Sequence, residues 1–353
     1  MTSVGIYLDS DTCRWQLDQT RIPVSRYTNL DVFSNSSEQR KVSAFHIPFP
    51  YLNVKQEFEQ RIDTALAVSD VVAVLVSELH NETVDFILRY ADKNIHFFTC
   101  GFVDSIKTDQ WMDWFITSSY FYKNNPVLEQ LNPYTPKEKL FDILLGQKKP
   151  HRDIIHNHIV SNQLQGRVVM SYLNHVDRIV EGTNTPGWIW PEGDLDILHK
   201  DLQWTVSQVV YQGQQMSLSQ VLPINIYNQT AYSIIAETNF ANHYSFYTEK
   251  TVKPILGRRL FLAFSGQYFL RNLRSLGFKT FDGIIDESYD TVSDIHQRGK
   301  MITEQMDYLF SQDQSKILDL VKPIAEHNYQ TLIETDWNNF HVNNFKNLLM
   351  HAK

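Results

Sequence analysis

At 353 residues the chain has room for two domains of ordinary size. Hydrophobic residues make up 42% and charged residues 20%, which provides for a packed core and excludes disorder as the state of the whole chain. The net charge of −8 argues against a general nucleic-acid coat protein, which needs a basic face, but leaves room for a local basic cleft. The two cysteines, Cys13 and Cys100, stand far apart in no metal-like spacing and fit free thiols in a reducing compartment. The start, MTSVGIYLDSD, has neither the basic region nor the apolar core of a signal peptide. No run approaches the roughly 20 apolar residues of a membrane helix, so the expectation is a cytoplasmic protein without a membrane span.

In chain order, residues 4–8 predict a first strand, 57–68 a helix, and 71–76 (VVAVLV) a strand buried on both faces. A helix over 82–90 and a strand over 95–100 follow, a rhythm that implies a parallel sheet with helices on its faces. Glu78, His80 and Glu82 in SELHNE follow the VVAVLV strand, where a general base can meet an acceptor hydroxyl or where the same residues simply start a helix. Asp9 and Asp11 after the first strand offer a similar, weaker opportunity. The polar, proline-marked stretch 123–139 (KNNPVLEQLNPYTPKEK) is the expected domain boundary.

The rhythm then restarts with strands over 140–145 and 168–173 around a helix over 153–161. A Trp-containing loop over 183–193, strands over 233–238 and 261–265, and a helical region from 292 to the end complete the pattern. The division predicted is 1–130, 131–330 and a C-terminal helix 331–353. Two doubly wound units place the default ligand site in the cleft between them, beyond the carboxyl ends of their strands.

The segment GQKKPHRD brings Lys148, Lys149, His151 and Arg152 to the start of a helix. Helix starts favour anions, so basic residues there imply an external anion such as a diphosphate, or else a merely charged turn. Between 249 and 279 stand Lys250, Lys253, Arg258, Arg259, Arg271, Arg274 and Lys279, with Glu249 the single acid. Local pairing cannot neutralise so many cations; a lone glutamate among them suits a ribose diol, and the cations suit a diphosphate. The acids that follow, Asp282, Asp286, Glu287 and Asp290, have no metal-binding spacing and are expected to pair with the basic segment or cap a helix.

The block TEKTVKPILGRRLFLAFSGQYFLRNLRSLGFKTFDGIIDESYD resembles the donor-binding segment of a glycosyltransferase-like family found in phages and marine bacteria. More distantly it is similar to the α-1,3-fucosyltransferases, with a glutamate-bearing strand end at Glu237 and an arginine in the place of Arg152. The similarity spans about residues 140–308 and is weak before that. It implies an α/β protein of GT-B-like fold, two facing Rossmann-like domains, and inverting transfer from a nucleotide-diphosphate sugar (UDP or GDP) without metal or other cofactor. By the same resemblance Glu249 holds the ribose, and Lys250 and Arg152 hold the diphosphate and stabilise the leaving group. Glu237, Asn239, Tyr247, Thr248 and Lys253 line the donor pocket. The family's catalytic base is an N-terminal carboxylate; the sequence departs from the family there, leaving Glu78, then Glu82, as candidates. The acceptor implied is a hydroxyl, either of 5-hydroxymethylcytosine-type phage DNA in the host cytoplasm or of a surface glycan. Trp111, Trp114, Trp188 and Trp190 suit stacking on either, or a place in the core. The competing expectation is a nucleotide- or sugar-binding protein that kept the fold without catalysis.

Overall fold

The computed structural model describes residues 3–47, 54–173, 203–204, 208–211, 214–217 and 221–350. The chain divides into two compact units, the first made of Met1–Ile116, His243–Phe246 and Asp336–Lys353 and the second of Thr117–Asn242 and Tyr247–Thr335. The division falls upstream of the proline-marked stretch 123–139, and the last helix is part of the first unit. The loop over 183–193, with Trp188 and Trp190, lies outside the described residues.

The first unit opens with β1 (Val4–Leu8), α1 (Asp11–Thr20), β2 (Ser25–Tyr27), α2 (Leu30–Ser34) and β3 (Arg40–His46). It continues with α3 (Lys55–Val68), β4 (Val71–Val76), α4 (Asn81–Arg89), β5 (Ile95–Thr99), β6 (Gly101–Val103) and β7 (Asp109–Gln110). Six strands form one sheet in the order β2-β1-β3-β4-β5-β7, each pair parallel. Every residue of β4 is buried, as expected of an all-apolar strand that lies inside a parallel sheet with helices on its faces. Local chemistry sets the helix starts: the Ser10 hydroxyl accepts from Cys13 N–H and the Asn29 amide oxygen from Val32 N–H. Both cysteines are buried and form no disulfide.

Helix α5 (Asp113–Tyr122) carries the chain into the second unit. There follow β8 (Lys139–Gln147), α6 (Pro150–Ser161), β9 (Val168–Leu173) and a small antiparallel sheet of β10 (Gln203–Trp204), β11 (Gln208–Tyr211) and β12 (Gln214–Ser217). Next come α7 (Ile224–Gln229) and β13 (Thr230–Ala236), before the chain returns to the first unit as β14 (Tyr244–Phe246). β14 pairs antiparallel with β6 so closely that a Cβ on Gly101 would lie 1.9 Å from the Ser245 carbonyl oxygen. Only glycine admits that approach. The second unit resumes with α8 (Glu249–Leu256), β15 (Phe261–Phe264), α9 (Phe269–Ser275), α10 (Ile295–Ser311) and α11 (Gln314–Glu334). α12 (Trp337–Met350) completes the first unit.

The main sheet of the second unit runs β15-β13-β8-β9, parallel throughout. From β8 the chain first moves to β9 on one side and later to β13 on the other. The order therefore reverses between β8 and β13, and their carboxyl ends flank the crevice where doubly wound sheets bind ligands. No described helix is long and apolar enough to cross a membrane.

Candidate anion site at the carboxyl ends of β8 and β13

Two lysines reach the same residue at this reversal point. Pro150 begins α6 at its first position, where a missing N–H costs nothing, and leaves Lys149 as the capping residue. Lys149 Nζ donates to the backbone carbonyl of Thr238, just past β13. Lys250, in the first turn of α8, donates from Nζ to Thr238 Oγ1 at 3.2 Å and to Glu249 Oε1 at 2.5 Å. Burial, then Arg152 and Lys250, push the pKa of Lys149 down to about 8. Burial likewise lowers Lys253 to about 8, with Glu249 opposing and Lys250 adding to the effect. For Glu249 burial works upward, but Lys250 and Lys253 outweigh it and hold the carboxyl below its usual range.

Behind these groups lies a buried layer. Arg152 is 2% exposed, and its Nη2 donates to the carbonyls of Ala236 and Glu237 at 3.1 and 3.2 Å. His151 donates from Nε2 to the Glu237 carbonyl at 3.0 Å, because a carbonyl can only accept. Its Nδ1 has no hydrogen-bond partner among the described residues. Burial first, then Arg152, depress the pKa of His151 to about 3, so the ring is neutral.

Glu237 is fully buried, and burial raises its pKa while Lys250 opposes. Oε1 accepts from Thr248 N–H at 3.1 Å and Thr251 Oγ1 at 2.6 Å; Oε2 accepts from Thr248 Oγ1 at 2.6 Å and Thr238 N–H at 3.2 Å. Thr248 caps α8, its hydroxyl oxygen accepting from Lys250 N–H. Tyr247 faces inward, its hydroxyl donating to the Phe269 carbonyl at 2.8 Å and its ring packed on Phe269. The Asn239 carbonyl accepts from Ser265 Oγ at 3.2 Å.

Arg152, Glu237, Asn239, Tyr247, Thr248, Glu249, Lys250 and Lys253 thus all belong to the second unit, and Arg152, Thr248 and Lys250 converge on the Glu237–Thr238 corner. Lys149, seen in sequence only as one of four basic residues in a turn, is the addition: topology, not spacing, brings it to Lys250. Glu78 belongs to the first unit, where it is exposed just after β4 and its carbonyl accepts from Thr83 Oγ1. Glu82 pairs with His80 Nδ1 at 2.9 Å, and Asp9 pairs with Arg61.

The expectation that pairing leaves most cations of 249–279 unneutralised is corrected by partners distant in sequence. Arg259 is sealed between β8 and β13 on Asp142 at 2.9 Å and donates further to Ser233, Tyr227, Thr230 and Tyr232. Arg258 meets Glu326 and stacks on Tyr329; Arg274 meets Glu287; Arg271 lies over the Tyr268 ring. The cationic cluster is smaller and sharper: Lys149, Arg152 and Lys250 at the Glu237–Thr238 corner, with Lys250 and Lys253 acting on Glu249. The acids after 281 hold structure as expected, Glu287 by its pair and Asp290 by accepting from Leu270 and Arg271 N–H at the start of α9 rather than of the next helix. No protein-family model matches the chain, and no curated protein matches it.

Proposed function

We propose that the second unit binds the diphosphate of a nucleotide sugar at the carboxyl ends of β8 and β13, and that the protein is a glycosyltransferase. The observation that carries this reading is the meeting of Lys149 and Lys250 at Thr238, backed by buried Arg152, with Glu249 partly buried and paired with Lys250. Two mobile ammonium groups at a topological reversal point are a receptor for an anion carrying more than one charge. Glu249 accepts hydrogen bonds from the ribose hydroxyls, as an acid does beside other nucleotide phosphates. In the transfer, the acceptor oxygen attacks the anomeric carbon from the face opposite the nucleotide, a base takes its proton, and the nucleoside diphosphate leaves. Lys149, Lys250 and Arg152 stabilise the charge growing on the departing phosphate without a metal. The acceptor is a hydroxyl of hydroxymethylated DNA or of a glycan, with Glu78 the proposed base.

The exposure of Glu78 favours one other reading, binding of a nucleotide or sugar without transfer. Incubation with UDP- and GDP-sugars in the presence of plain oligonucleotides, hydroxymethylated oligonucleotides and glycans distinguishes the two. Release of nucleoside diphosphate with a matching mass gain on one acceptor supports transfer; binding without release or mass gain supports the second reading.

A further inference from the structure

The two elements that bring cations to this site are joined through one residue. Glu237 directly follows β13, with its side chain turned to α8 and its backbone to α6: its carboxylate takes Thr248 and Thr251, and its carbonyl takes His151 and Arg152. Every group that meets the carboxylate is a donor. The Thr248 hydroxyl already accepts from Lys250 N–H, so its own proton is directed to Glu237. These four donors stabilise the ionised form and oppose the burial that raises the pKa of the carboxyl. No ligand reaches it, since it is 0% exposed. Its effect passes instead through the first turn of α8, where Glu249 and Lys250 stand, and through Thr238, whose N–H it holds and whose other polar atoms meet the two lysines.

We propose that Glu237 is the positioning residue of the anion site: its sealed carboxylate fixes the first turn of α8 through Thr248 and Thr251, while its backbone carbonyl holds His151 and Arg152 of α6. This rests on the reading of the cluster as an anion site and revises the expectation that Glu237 itself lines the donor pocket. The residue acts as a buried support that holds contact groups within the narrow tolerance binding demands, as outer-shell partners do for metal ligands.

The test is calorimetric titration of inorganic pyrophosphate, and separately of UDP and GDP, into wild type, E237Q, T251V, T251S and K250A. Each protein is measured well below its own melting temperature. T251V removes one donor at constant shape and is expected to weaken pyrophosphate binding about tenfold, with T251S restoring it; E237Q is expected to lose a similar factor. If T251V melts lower but binds pyrophosphate as wild type does, Glu237 supports the fold alone and the proposal is wrong. If E237Q loses binding as completely as K250A while T251V loses none, Glu237 touches the ligand, which also overturns it. Should E237Q fail to fold, the T251V and T251S pair decides. Wild type binding pyrophosphate but neither nucleotide sinks the nucleotide reading and leaves this inference standing; wild type binding none of them sinks both.

Discussion

Lys149 and Lys250 define the site at the scale of single residues. An ammonium group on phosphate is a charge-assisted interaction, so Lys250→Ala should weaken nucleoside diphosphate binding about tenfold to a hundredfold. Lys149→Ala should do the same, although sequence alone gave Lys149 no separate standing. Because burial and neighbouring cations lower Lys149 and Lys253 to about 8, both lose their protons as the pH climbs past that value. An anion needs the protonated form. Affinity should be full below pH 8 and decline above it, and binding measured near pH 8 should be accompanied by proton uptake. Titrations at pH 7, 8 and 9 in two buffers of different ionisation enthalpy check both statements; a flat profile would show that these lysines do not meet the ligand.

At the scale of elements, apolar runs made much of the fold legible. VVAVLV, LFDILL and FLAF, short apolar runs too brief for a buried helix, became strands of covered parallel sheets. β3 escaped because it begins Arg40–Lys41, which reads as a surface turn. Arg40 is nevertheless buried, its guanidinium donating to the carbonyls of Leu348 and Leu349 near the end of α12. That partner lies across nearly the whole chain, and no local pattern announces it. The same limit explains Arg258 and Arg259, whose acids come from α11 and β8. The glutamate–lysine pair was legible by charge, one acid among seven cations, whereas the Thr248 cap directly before it is seen only in the structure. Thr248→Ala removes both that cap and a hydroxyl donor to the buried Glu237 carboxyl, and should cost about 2–4 kcal/mol. Gly101→Ala should cost about 1–3 kcal/mol or more, since its Cβ would collide with the backbone of Ser245. Thermal melting of both variants tests these values; an unchanged melting temperature for Gly101→Ala would contradict the β6–β14 pairing.

On the scale of the whole molecule, each unit contains a buried neutral histidine. Burial pushes His151 of the second unit down to about 3 and His341 of the first down to about 4. Unfolding returns each to the ordinary histidine value near 6.5. Between that value and the folded one the unfolded chain binds more protons, so stability rises with pH through this window and is lost as the pH falls below about 6.5. The melting temperature should therefore drop between pH 6.5 and 4, and His341→Phe should flatten part of that dependence.

The division into two parallel-sheet units was foreshadowed by the restarting strand–helix rhythm, while the return of β14 and α12 to the first unit depends on pairings that no spacing records. For the second unit we propose a receptor for a nucleoside diphosphate at its reversal point. Calorimetric titration of UDP and GDP at pH 7 into wild type and the Lys149→Ala, Lys250→Ala double variant tests it most directly. Wild type should bind at least one nucleotide saturably and one-to-one, with affinity weakened more than tenfold in the double variant. No binding of either nucleotide, or equal affinity in the double variant, would contradict it.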